Sequence, residues 1–261
     1  MRLAFDLFSD IFTYRDNVLT RVHPCVKVVA AFLTIVALIS SSRLLLPALV
    51  FSCTFAGMMW IRLPLRCVFG RLAAPLGIVV VLVVLQSLMV GSTPVYSFSF
   101  RGWRISVMEE GIRQGLLMGS RALSAVSVVI LLSSCTPAHR IFHTLRRLGV
   151  PKGWVEVAIL MYRYVFIFVD RTAEIMTAQR VRLGYRGIRR SLSSLGMLAG
   201  SVLVLSMDQA LRTHEAMTVR GYKGTIPFGP MPAMSRRDWW ILACTSGLLL
   251  SAYVFIEWGP L

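Results

Sequence analysis

Five stretches of this chain are almost wholly apolar, and most of them end at charge. The first, Val28 to Ser42, lies between Lys27 and Arg43. The second, Leu44 to Ile61, holds Pro47 and closes at Arg62. The third runs from Leu72 to about Thr93, the fourth from about Leu116 to Cys135, and the fifth from Trp239 to about Ile256. A helix needs about 20 apolar residues to cross ~30 Å of hydrocarbon at ~1.5 Å per residue. Most of the stretches approach that length. The first is short and can extend back past Lys27, whose aliphatic stem snorkels.

Between the fourth and fifth stretches the pattern changes. Thr136-Pro137 reads as a helix N-cap followed by proline at the first helical position. A short helix, Ala138 to Leu148, then stops at Gly149-Val150-Pro151. From Trp154 to about Tyr185, Val155, Ile159, Tyr162, Phe166 and Val169 share one face, while Arg163, Asp170, Arg171, Glu174 and Arg182 are polar. That spacing predicts a long amphipathic helix, ended by Gly184 and Gly187. Ser191 to about Gly221 predicts another, apolar to Met207 and polar beyond it. Ser191–Met207 carries no charge and is a candidate sixth crossing. Arg189-Arg190 lead into it, and Gly196, Gly200 and several serines weaken it, so the reading leaves it outside the membrane. A crossing there would reverse all that follows unless the 154–169 run also crossed.

Composition fixes the class. Of 261 residues, 56% are hydrophobic and 15% charged, against roughly 25% charged in soluble domains. This excludes a soluble enzyme, a disordered chain and a secreted disulfide scaffold. The fold expected is an all-α integral membrane protein with about five transmembrane helices. Net charge is +16. In so apolar a chain this points to the positive-inside rule rather than to nucleic acid, for which no groove-reading motif is present. The distribution of Lys and Arg favours a cytoplasmic N-terminus and an outside C-terminus. Cys25, Cys53, Cys67, Cys135 and Cys244 form no C-x-x-C and read as small buried hydrophobes. Asp6, Asp10 and Asp16 argue against a cleavable signal.

Candidate chemistry is sparse. No phosphate loop, H-E-x-x-H or G-x-S-x-G occurs. His139 and His143 stand four apart on a helix, a spacing that can present two imidazoles to a metal; with no further ligand nearby they read as surface residues. His23 reads as a helix-start residue. Gly111, Gly115 and Gly119 recur every fourth residue, so they pack either this chain's own helices or a partner. Arg121 is a charge inside a span, either snorkelling or paired. No intramembrane carboxylate is available for a proton relay, which counts against a secondary transporter. Arginines stand at the ends of both long helices, where the helix dipole favours a cation and a guanidinium can fork onto a partner's carboxylate.

Several short stretches carry a family likeness. They are His23-Pro24-x-x-Lys27, Leu160-Met-Tyr-Arg-Tyr164, Asp170, Ala178-Gln-Arg180, Arg189-Arg-Ser191 and Glu215-Ala-Met-Thr-Val-Arg-Gly-Tyr222. Over nearly its whole length the chain resembles the transmembrane T component of energy-coupling factor transporters, in the CbiQ/NikQ branch for cobalt or nickel. The resemblance implies a non-catalytic scaffold, not an enzyme. It implies two ATP-binding subunits, a substrate-binding membrane subunit of CbiM/NikM type and a small accessory membrane subunit as partners, in a bacterial or archaeal cell membrane. This chain would bind no cofactor. ATP would sit on the partners, and Co2+ or Ni2+ on the substrate-binding subunit. Residues 1–135 would be the N-terminal transmembrane region, 136–238 the cytoplasmic coupling helices and 239–261 the last span. Two Ala-Arg-Gly-like motifs would dock on the ATPases: Ala178-Gln179-Arg180, with Arg182-Leu-Gly184 as a competing alignment, and Val219-Arg220-Gly221. Val155, Ile159, Tyr162 and Phe166 would pack on the substrate-binding subunit. A stand-alone secondary transporter and a membrane enzyme acting on lipid, with His139/His143 as a metal pair, are the rival classes.

Overall fold

The computed structural model describes residues 22–61, 65–89, 94–100, 103–224 and 235–258. Its helices are α1 (Pro24–Ser40), α2 (Leu45–Trp60), α3 (Leu65–Met89), α4 (Glu109–Cys135), α5 (Ala138–Arg147), α6 (Lys152–Val181), α7 (Ile188–Val219) and α8 (Arg236–Trp258). The helical membrane class expected from composition holds. One feature departs from it: strands β1 (Pro94–Phe100) and β2 (Trp103–Met108) pair antiparallel between α3 and α4, with Phe98 opposite Ile105. The sequence there alternates, but over so short a run that it reads equally as a polar connection.

The boundaries follow local chemistry. His23 caps α1, its Nδ1 accepting from the Cys25 amide at 3.2 Å, and Pro24 opens the helix. Lys27 falls inside α1, as the snorkelling argument anticipates. Pro47 costs α2 nothing in its first turn, where amides lack helical partners. Pro75 lies inside α3. Thr136 is not the N-cap of α5. It closes α4, its amide donating to the Leu132 carbonyl at 3.0 Å, and the Pro137 carbonyl accepts the first bonds of α5.

The chain divides into two compact units, one of residues 1–144 and 232–261, the other of residues 145–231. In the first, α4 is the central helix, packed on α1, α2 and α3. A Cβ on Gly115 would stand 3.0 Å from the Val83 Cα, and one on Gly119 would stand 2.6 Å from Val79 Cγ1. The glycine row therefore serves this chain's own packing of α4 on α3, and the question left open by its spacing is closed. Polar side chains fill the remaining seam: Thr54 Oγ1 and Ser127 Oγ lie 2.7 Å apart, and Ser124 Oγ donates to the Pro47 carbonyl at 2.7 Å. Met58, Ile61, Val68, Leu72, Ile130 and Cys135 form the larger apolar cluster.

Two sets of bonds fix the direction of α8. Asp238, in its first turn, accepts from the His23 amide at 3.4 Å, while Glu257 accepts from the Ser42 amide at 3.2 Å near its end. So α8 runs alongside α1 and parallel to it. Lys27 Nζ donates to the Cys135 carbonyl at 3.3 Å, which places the end of α4 at the same end of the unit. The chain therefore leaves this bundle and re-enters it at one end.

By length and composition α3, α4, α7 and α8 can each cross a membrane; α1 and α2 are apolar but shorter, at 17 and 16 residues. Helix α7 covers the Ser191–Met207 run that the sequence reading left outside.

In the second unit α6 and α7 run antiparallel. Tyr164 Oη lies 2.6 Å from Thr213 Oγ1, and further along α6, Gln179 Nε2 donates to the Ser194 carbonyl at 2.9 Å.

Candidate functional site: the two helix ends

Both long helices end in the same hydrogen-bonded form. At the end of α7 the Tyr222 amide donates to the Met217 carbonyl (3.0 Å) and the Gly221 amide to the Thr218 carbonyl (3.0 Å). Gly221 takes φ +80, a left-handed conformation that glycine adopts without penalty. At the end of α6 the Gly184 amide donates to the Gln179 carbonyl (2.8 Å) and the Leu183 amide to the Arg180 carbonyl (3.0 Å). These are two Schellman caps. In the α6 cap the left-handed position is filled by Leu183, at φ 57. A branched residue there is strained by about 1–2 kcal/mol. The cap survives because Gly184 sits hard against α7: a Cβ on it would meet Ser194 Oγ at 2.7 Å. Ser194 Oγ in turn donates to the Gly184 carbonyl at 2.9 Å.

Aligning the two caps aligns the side chains. The C-cap residues are Arg182 and Arg220. The residues before them are Val181 and Val219, 80% and 88% exposed. Ala178-Gln-Arg-Val-Arg182 thus matches Ala216-Met-Thr-Val-Arg220 position for position. By this geometry Arg182, not Arg180, is the equivalent of Arg220. Arg180 stands two residues earlier; Ala178 is exposed, and Gln179 is tied to Ser194 and to the Tyr185 hydroxyl (2.6 Å). The repeated A-x-x-V-R was present in the sequence as a signal, but only the shared cap gives its register.

The antiparallel pairing sets the two arginines apart. Arg182 closes the end of α6 at which α7 begins, and Arg220 closes the far end of α7. At ~1.5 Å per residue the 32 residues of α7 separate them by about 48 Å. Two like helices running antiparallel have an approximate twofold axis between them, and that axis exchanges the two arginine caps. Both guanidinium-bearing residues are exposed.

The apolar face expected to pack on a partner is partly covered within this chain. Val155 is buried within this chain, at 2% exposure, and Ile159, Tyr162 and Phe166 are half-buried, with Tyr162 and Phe166 in edge-to-face contact at 5.1 Å. The outward row on α6 is Trp154, Val157, Met161 and Val165. The sequence periodicity identified an apolar stripe, but α6 is apolar on more than one side, so periodicity alone did not choose the exposed one. Helix α7 is more open still: Leu192, Leu203, Val204, Met207 and Leu211 are all exposed, and a Cβ added at Gly196 or Gly200 would meet nothing within 4 Å. Among the described residues no three His, Cys, Asp or Glu side chains gather as a metal site.

The fold defines a polytopic membrane protein with a paired-helix segment. A family model described as a cobalt transport protein, CbiQ, matches residues 15–228, and the chain belongs to that family. It is 26% identical over 212 residues to the uncharacterized protein MJ1089 of Methanocaldococcus jannaschii, a match covering 81% of this chain and 79% of that one. Over 120 residues it is 32% identical to the cobalt transport protein CbiQ of Rhodobacter capsulatus, covering 46% of this chain and 49% of that protein. It also matches a putative fused cobalt transport protein CbiMQ of Methanocorpusculum labreanum, at 25% over 134 residues, 51% of this chain and 22% of that one.

Proposed function

We propose that this chain is the scaffold of an ATP-driven importer of cobalt or nickel, transmitting the closure of two ATP-binding subunits to a substrate-binding membrane subunit. The observation that carries the reading is the pair of matching arginine caps. A twofold-related pair of docking ends suits two copies of one partner, as isologous contacts require. Each exposed guanidinium at a helix C-terminus offers a forked donor to a carboxylate on that partner.

The segment between α4 and α8 starts and finishes at one end of the bundle, so it crosses the membrane an even number of times. Helix α7 has the length to cross, but α6 carries Glu156, Arg163, Asp170, Arg171 and Glu174 and does not suit lipid. Zero crossings is the consistent solution, with the 145–231 segment in the cytoplasm. The open apolar length of α7 and the Trp154–Val165 row of α6 then face a membrane partner. The fused CbiMQ relative supports a CbiM-type protein in that role. When the ATPases close, their grip on Arg182 and Arg220 moves α6 and α7 against that partner. Coupling requires the contacts to differ between nucleotide states.

Co-purification from the native host tests this. The chain should bring down two copies of an ATP-binding subunit and a CbiM-type protein. Arg182→Glu combined with Arg220→Glu should release the ATPases while retaining the membrane partner. Full ATPase retention in the double variant would end the proposal.

A further inference from the structure

At the end of the first unit opposite His23, the turn joining α1 to α2 meets the first turns of α4 around a cavity of about 520 Å3. Ser42, Glu110, Arg113, Gln114, Leu117 and Arg121 line it. Arg113, Leu117 and Arg121 follow one another at four-residue spacing and form one row along α4. Gly115 and Gly119 are occupied by α3, which leaves this row to face the turn.

The electrostatics of the row are unbalanced. Arg121 donates to the Ser41 carbonyl, a neutral acceptor, and its Nε is buried with no partner. Neither Arg113 nor Arg121 forms an ion pair among the described residues. Arg121 lies twelve residues into α4, about 18 Å from its start at ~1.5 Å per residue, a depth at which an uncompensated charge is costly. Glu110 lines the cleft and Glu257 accepts from the Ser42 amide at its rim, but neither forms an ion pair with Arg121. Alongside, Leu116 and Met118 are exposed apolar side chains. Cationic donors therefore adjoin a surface suited to acyl chains.

We infer that this cleft binds a phosphate group, carried by a phospholipid whose chains lie along Leu116 and Met118. The phosphate supplies the counter-charge that Arg121 lacks and takes a forked contact from Arg113. A divalent metal cargo is repelled by the same two guanidiniums, so the cleft stands apart from any metal path.

The test uses the purified full chain in detergent and follows its thermal unfolding with added phosphatidylglycerol, with diacylglycerol of the same chains, and with inorganic phosphate. Phosphatidylglycerol should raise Tm and diacylglycerol should not. Arg113→Gln and Arg121→Gln should each raise the half-effective lipid concentration about tenfold, as loss of one charge-assisted hydrogen bond implies. Should Arg121→Gln fail to fold, Arg113→Gln decides alone, because its side chain is exposed and holds no other element. Inorganic phosphate matching the lipid would keep the phosphate site and make its source free phosphate. Equal stabilisation by diacylglycerol, or an unchanged lipid response in Arg113→Gln, would overturn the site.

Discussion

Leu183 is the residue at which local rules and the fold disagree. It occupies a left-handed position that Gly221 fills at the other cap. Leu183→Gly should relieve strain and stabilise the unit by about 1 kcal/mol, less the extra chain entropy glycine brings; urea or thermal unfolding of the purified chain would show it. Stability that falls instead would mean the exposed Leu183 side chain contributes a contact worth more than the strain. The neighbouring arginines divide differently. Arg182→Glu and Arg220→Glu should each cut ATP-dependent uptake by at least tenfold, since reversing a charge at a docked contact costs about 2–5 kcal/mol. Arg180→Glu, two residues off the equivalent position, should cost far less. Transport assays on the three single variants distinguish the two alignments of the first motif. The sequence showed arginines at both helix ends. It did not show which one sits at the cap, because that depends on where the helix stops, and a non-glycine C′ residue hides the stop.

Elements show the same division between legible and hidden. The apolar runs located α1 to α4 and α8 because a bilayer demands length and apolarity, both of which are sequence properties. The long amphipathic pattern located α6 and α7. The exposed face of α6 was not legible, because Val155 and Trp154 are both apolar and only tertiary packing buries one and exposes the other. The role of the glycine row was also undecided until α3 was seen against it. Gly119→Leu should therefore destabilise the first unit by more than about 3 kcal/mol, as overpacking against a fixed neighbour does at its upper range. Val79→Ala in the same chain should restore part of that loss, since Val79 Cγ1 is the atom met first. Thermal unfolding of the single and double variants checks both. Additive losses would mean that the two helices do not meet there.

At the scale of the whole molecule, the apolar helices of the first unit form a bundle and α6 and α7 pair in the second. The bundle runs up and down, with His23, Cys135 and Asp238 at one end and Ser42 and Glu257 at the other. Single cysteines placed at Arg186 and Lys223 in a cysteine-free chain should be labelled from the cytoplasmic face, exposed in inverted vesicles, and one at Ser42 from the opposite face in intact cells. Labelling of Arg186 from the same side as Ser42, with Lys223 still cytoplasmic, would mean that α6 and α7 both cross and would break the zero-crossing reading. The central claim is that this chain transports nothing by itself. Its most direct test is metal uptake by proteoliposomes holding the chain with its CbiM-type partner, with and without the ATP-binding subunits. The account predicts uptake only when the ATPases and ATP are both present, and its loss in Arg220→Glu. Uptake by the chain alone, without any ATPase, would contradict it.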